Sequence, residues 1–219
     1  MEGNLWSAMR FYFLATQLKY KIRSGWDETH WNVNKERIES VAEHIYGTCI
    51  LALSIWSEYE LSINIDVVIK MLVLHEIGEV LIGDITPFDN ITPEEKMSRE
   101  HKAISDILGD LVKRDEFYAL LIEFDEHKTR ESVFAYYCDK LEADLQCKAY
   151  LDMGCHRDFS DLPNNVVLKS DKIQEIIEHG GKNAFDCFYE FDKPRYEDSE
   201  IFSSILEFIR TVNTQEDFS

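Results

Sequence analysis

Ten residues, HEIGEVLIGD from His75 to Asp84, place one histidine and three carboxylates directly behind the apolar run MLVL. The zinc-binding pattern H-E-x-x-H would need a second histidine at position 79. Glu79 stands there, and the pattern occurs nowhere else in the chain, which argues against metalloprotease chemistry. Two more polar residues sit inside apolar helical patterns. His44 lies one turn into ESVAEHIYGTCILALSIWSEY, and Asp139 follows FAYYC in mid-helix. Each would be costly to bury without a partner. His44, the His75–Glu76 pair and Asp139, coming from three helices, could share one divalent ion. That ion would offset the desolvation of both carboxylates, and helical bundles build such sites from facing helices.

The elements that must carry these residues read as helices almost throughout. Residues 4–22 show Phe11, Leu14, Leu18 and Ile22 at helical spacing. Residues 23–39 have no clean period and read as a long loop, a kind of segment that is often functional. Ser40 and Glu43 have capping-box spacing at the start of the helix that holds His44. Asp66 is the expected cap of a helix running on to Gly83 through the HEIGEV block. Thr92, Pro93 and Glu95 open the next helix. Residues 114–128 form a shorter one, and Thr129 can cap a long helix over 131–153. Beyond it, helices near 171–179, 182–191 and 198–212 are punctuated by Gly180-Gly181. Roughly eight helices and no convincing strand predict an all-α fold, a compact multi-helix bundle, with residues 1–219 as one domain.

Composition narrows the partners. Lys and Arg total 23 against 42 Asp and Glu, a net charge of −19. Such a surface repels a nucleic-acid backbone and an anionic membrane, so neither is expected as a partner. A small anionic substrate is compatible if an arginine or a metal reverses the sign locally. The five cysteines are odd in number and lack a C-x-x-C pair, which fits reduced thiols in a cytoplasmic protein. The N-terminus MEGNLWSAMR shows no signal-peptide pattern, and no apolar run is long enough to span a membrane.

The order His, His-acid, Asp on successive helices resembles the HD-domain superfamily of metal-dependent phosphohydrolases, over about Arg23 to Leu151. More narrowly, RSGW, ESVAEH, LHEIGEVLIGDITP and YCDKLEADLQ resemble the HD-type 5′-deoxynucleotidase subfamily, whose members remove phosphate from deoxynucleoside monophosphates. The resemblance implies an HD-domain bundle with the helices of 171–212 packed on it. It makes His44, His75, Glu76 and Asp139 the ligands of one divalent metal ion; two histidines and two carboxylates suit Mn, Co, Fe, Ni or Zn. It makes Glu79 and Asp84 the acidic residues that position or activate the attacking water, Arg23 the phosphate-binding arginine and Trp26 a residue at the substrate pocket. It also implies a small phosphorylated substrate, a (deoxy)nucleoside 5′-monophosphate, and a homodimer. On residue type alone Glu79 reads equally as a solvated helix charge, Asp84 can be a turn residue, and Arg23 and Trp26 read better as a helix C-terminal charge and a core anchor.

The sequence departs from the family pattern at one letter. Where the name-giving pair is His-Asp, this chain has His75-Glu76, whose carboxylate lies about 1.5 Å farther from the backbone. The departure leaves an alternative, an HD scaffold that holds metal or nucleotide without turnover. A second alternative, a two-metal phosphodiesterase or oxygenase, would recruit His101 or His127 from the interval before Asp139. Their charged and helix-end surroundings favour a solvated reading for both. The segment from Asp27 to Glu39 is long for the subfamily, and its His30, Trp31 and Lys35 are expected to shape the pocket.

Overall fold

The computed structural model describes residues 2–162 and 165–218. Ten α-helices order the described chain: α1 (Glu2–Ala15), α2 (Val41–Glu58), α3 (Ile65–Leu74), α4 (Glu79–Ile82), α5 (Pro93–Leu108), α6 (Arg114–Glu126), α7 (Arg130–Asp152), α8 (Asp171–Glu178), α9 (Ala184–Asp192) and α10 (Glu200–Ile209). Short 3-10 turns join several of them. The described residues form no strand beyond one isolated antiparallel bridge between Ile22 and Ser40. The fold is all-α, as the periodicity predicts. No described helix is long and apolar enough to cross a membrane.

Two compact units make up the chain. The first comprises Met1–Arg23, Glu39–Ile85 and Asn90–Asp139. Its core joins Leu18, Val41, Leu74, Ile77, Val80, Ile104, Ile107, Leu108 and Leu121. Each large aliphatic side chain buried there contributes about 1.5–3 kcal/mol. Three of these anchors bear directly on the polar residues: Val41 precedes His44 by three positions, and Leu74 and Ile77 flank His75–Glu76. The second unit comprises Ser24–Ile38, Thr86–Asp89 and Lys140–Ser219. Its core gathers aromatics, with Trp26 stacked on Phe188 at 5.4 Å and edge-on to Tyr150 at 5.4 Å, and Trp31 tilted against Phe188 at 5.2 Å. α7 contributes its residues through Asp139 to the first unit and the remainder to the second.

Local signals decide most helix starts. Ser40 Oγ accepts from the Glu43 N–H at 3.3 Å while Glu43 Oε2 accepts from the Ser40 N–H at 2.8 Å, a complete capping box. Thr92 caps α5 through the Glu95 N–H at 3.2 Å with Pro93 in the first position, and Thr129 Oγ1 accepts from the Ser132 N–H at 3.1 Å. The helix expected over 66–83 needs two corrections. Asn64, not Asp66, is the cap, its side chain accepting from the Asp66 N–H at 3.1 Å. The helix also stops at Leu74. Beyond it the N–H groups of Ile77, Glu79 and Val80 bond three residues back, at 2.9, 3.0 and 3.3 Å. This tighter winding, at a poorly helix-forming Gly78, replaces the regular ladder until α4.

The segment read as a loop lacks periodicity because its side chains enter the second unit's core one at a time. Trp26, His30, Trp31 and Val33 are all buried. All five cysteines are free thiols, with Cys138, Cys147 and Cys187 buried.

Candidate metal centre

The residues singled out in the first unit converge. α2 supplies His44, fully buried one turn past its capping box. The tight turn after α3 supplies His75 and Glu76, and α7 supplies Asp139, 4% exposed. One ligand atom from each of these four residues lies within 4.8 Å of every other. His44 Nε2 is 3.0 Å from Asp139 Oδ1 and 4.0 Å from Glu76 Oε1, and His75 Nε2 is 3.4 Å from Asp139 Oδ1 and 3.5 Å from Glu76 Oε1. Ligand atoms bound at about 2.0–2.2 Å to a common ion lie at such separations from one another.

The imidazole of His75 provides the test of fit. Its Nδ1 faces the Leu72 carbonyl at 2.7 Å, so the proton sits on Nδ1 and the Nε2 lone pair is free. Nε2 is buried and has no hydrogen-bond partner. It nevertheless faces two carboxylate oxygens. A lone pair aimed at carboxylates is repulsive unless a cation lies between them, so the donor set fits a divalent ion. The hydrogen bond at the far nitrogen is the usual support of a ligating histidine. The Phe124 ring lies 5.3 Å from that imidazole and limits its tilt.

The neighbouring charges are unusual for a buried site. Arg23 is set by the Ile22–Ser40 bridge, with its N–H donating to the Glu39 carbonyl at 3.1 Å. Its Nη1 is 3.5 Å from Glu76 Oε1 and 3.8 Å from Asp84 Oδ1, and its Nε is 4.0 Å from Glu39 Oε1. Burial disfavours the cation, but the carboxylates of Asp84, Glu76 and Glu39 outweigh it and hold Arg23 charged. Burial likewise opposes ionisation of Glu76, yet positive charge at the His75 position, on Arg23 and at the His44 position brings it down to about 2. Glu79 goes the other way. Burial first, then the charges of Glu76 and Asp84, push it up to about 12. Its Oε2 is buried without a partner. Three carboxyl groups thus stand side by side, and the middle one holds a proton until positive charge arrives.

Not every candidate from the sequence joins this group. Trp26 is 2% exposed in the aromatic core of the second unit. In that unit His30 bonds Asp27 and Thr86, Trp31 is buried, and Lys35 lies 5.2 Å over the Tyr150 ring. His101 pairs with Asp125 at 2.8 Å and His127 lies against Tyr136 at 4.0 Å between ring centroids. Among the described residues neither belongs to a group of three converging ligand atoms. Sequence reasoning missed Glu39, buried beside Arg23. Its signal was a carboxylate immediately before the cap Ser40, at the end of a loop that had to fold back.

The HD domain family model matches residues 15–180. Human 5′-deoxynucleotidase HDDC2 is 34% identical over 178 residues, covering 78% of this chain and 84% of its own. Fission yeast 5′-deoxynucleotidase hdd1 is 31% identical over 150 residues, covering 66% and 72%. Among solved structures, a chain described as a predicted metal-dependent phosphohydrolase from Magnetospirillum magnetotacticum superposes with a TM-score of 0.66 at 22% identity, covering 95% of this chain and 91% of that one. An HD-domain phosphohydrolase from Listeria innocua gives 0.56 at 18%, covering 95% and 98%. The fold is therefore shared well beyond the range of close sequence similarity. With the family model spanning most of its length, this chain belongs to the HD-domain family.

Proposed function

We infer that the protein is a metal-dependent phosphohydrolase that releases phosphate from a (deoxy)nucleoside 5′-monophosphate. The observation that carries this reading is the free Nε2 of His75, facing two carboxylates beside a half-buried arginine. The relatives named 5′-deoxynucleotidase support the substrate class. His44, His75, Glu76 and Asp139 would hold the ion, whose chemistry when bound is to polarise a phosphoryl oxygen and ease deprotonation of a water.

The chain's own residues do the rest. Arg23 offers paired N–H donors to the phosphate, pre-aimed by its carboxylate neighbours. Glu79 takes the proton of the attacking water once its own has gone, and a dication next to Glu76 favours that loss. Asp84, 7% exposed at its side chain, fixes the opposite side of the guanidinium. Water then adds to phosphorus, the P–O5′ bond breaks, and nucleoside and orthophosphate result. For Trp26, the remaining substrate-binding candidate, the burial described above favours a core role.

Residues 1–219 are taken as one HD-type domain because the family match crosses residues of both units. A cytoplasmic location is supported by five free thiols. The net charge of −19 disfavours nucleic acid. A homodimer is supported by the exposed aromatics of α1 described below. The metal is one of Mn, Co, Fe, Ni or Zn.

The test is phosphate release from deoxynucleoside monophosphates by protein loaded with each metal in turn. Glu79→Gln is expected to keep its metal and lose about 10²–10⁴-fold in kcat, the usual contribution of a general base. An unchanged kcat would remove Glu79 from the chemistry. Bound metal with no turnover of any nucleotide would favour a binding role instead.

A further inference from the structure

The departure from the family pattern at position 76 has a geometric counterpart. One oxygen of Glu76, Oε1, lies 3.5 Å from His75 Nε2, 4.0 Å from His44 Nε2 and 3.5 Å from Arg23 Nη1. The same atom therefore belongs to the ion site and to the guanidinium. Arg23 reaches it with a backbone already pinned, since its own N–H is bonded to Glu39 and the following chain returns to α2 at Ser40. An aspartate at 76 would pull its carboxylate back by about one C–C bond, about 1.5 Å. From a starting separation of 3.5 Å, a retraction of that size is large enough to take the oxygen beyond the roughly 4 Å range of an ion pair with Nη1.

We propose that Glu76, beyond any ligand role, is a positioning residue for Arg23: its longer side chain bridges the ion site to the phosphate-binding guanidinium. This rests on the metal-centre reading given above. The bridge has a physical use. Arginine carries a long, rotamer-rich side chain, and ordering it costs conformational entropy when phosphate arrives. Glu76 on one side and Asp84 on the other hold the fork in place beforehand, at 3.5 and 3.8 Å. Catalytic and binding geometries gain from that kind of prior order. The extra methylene is thus a specialisation for phosphate capture.

A double-mutant cycle tests this, read by two quantities other than turnover. Glu76→Asp, Arg23→Gln and the double variant are loaded with Co(II) or Mn(II). Metal per chain is measured first, then the affinity for inorganic phosphate by calorimetry. Glu76→Asp is expected to retain one ion per chain while phosphate binding weakens roughly tenfold or more, the scale of a lost charged hydrogen bond. Because both single changes remove one interaction, the double variant should bind phosphate no more weakly than Arg23→Gln alone. In kinetics the Glu76→Asp effect should fall mainly on KM. Wild-type phosphate affinity in Glu76→Asp, or losses that add in the double variant, would overturn the proposal. If the wild-type protein takes up no divalent ion, the metal reading beneath it fails first, and visibly so.

Discussion

Individual residues here are forced into states that their types alone would not suggest. Glu79 is one case, and Asp144 in the second unit is another. Asp144 is fully buried; its Oδ2 accepts from the Tyr196 hydroxyl at 2.9 Å, and its Oδ1 has no partner. Burial, then the neighbouring Asp192 carboxylate, raise it well above its ordinary 3.8. As the pH rises through 3.8 the unfolded chain sheds this proton while the folded chain keeps it. The group therefore costs stability progressively as pH rises from there to its raised folded value. Asp144→Asn keeps the shape and removes the ionisation. It should unfold at a higher temperature than wild type near neutral pH, with the gap closing toward about pH 4. A variant less stable than wild type near pH 7 would contradict this. Nothing in YCDKLEADLQ foretold that Asp144 is buried, because the acid that perturbs it, Asp192, lies 48 positions later.

At the scale of elements, signals written within a few residues were legible and those written across the fold were not. Ser40–Glu43, Thr92–Pro93 and Thr129 could be read because a cap and its partner lie within one turn. The break after Leu74 could not, since the apolar pattern continues through Ile77 and Val80. The four converging ligand residues were legible as costly polar residues in apolar helices. Arg23 beside Glu76 was legible only as a resemblance. The 27–38 segment has the most non-local structure. Asp27 Oδ1 faces His30 Nδ1 at 2.9 Å, His30 Nε2 faces Thr86 Oγ1 at 3.0 Å, and Thr86 Oγ1 donates to Asp89 Oδ2 at 2.9 Å. Asn165 also donates to the His30 carbonyl. This part-buried chain ties 27–30 to 86–89 inside the second unit. His30→Leu or Thr86→Val should each cost about 1–3 kcal/mol in denaturant unfolding. The pair together should cost less than the sum, because both cut the same chain. Additive losses would show that the contacts act independently.

For the whole molecule, the surface carries a feature that a net charge of −19 does not explain. No residue described in α1 is buried, and Leu5, Trp6, Tyr12 and Phe13 are each at least half exposed. Apolar patches of this kind mark contact surfaces. The homodimer proposed above would use α1, and Trp6→Glu with Phe13→Glu should then shift the mass measured by light scattering from two chains to one. A wild-type protein that is monomeric at every concentration would refute it.

The four-residue metal centre is the central claim, and metal stoichiometry tests it most directly. Protein stripped of metal and dialysed against Co(II) or Mn(II) should take up one tightly held ion per chain, and His75→Ala, folded by circular dichroism, should hold none. Equal metal content in wild type and His75→Ala would contradict the centre as assigned.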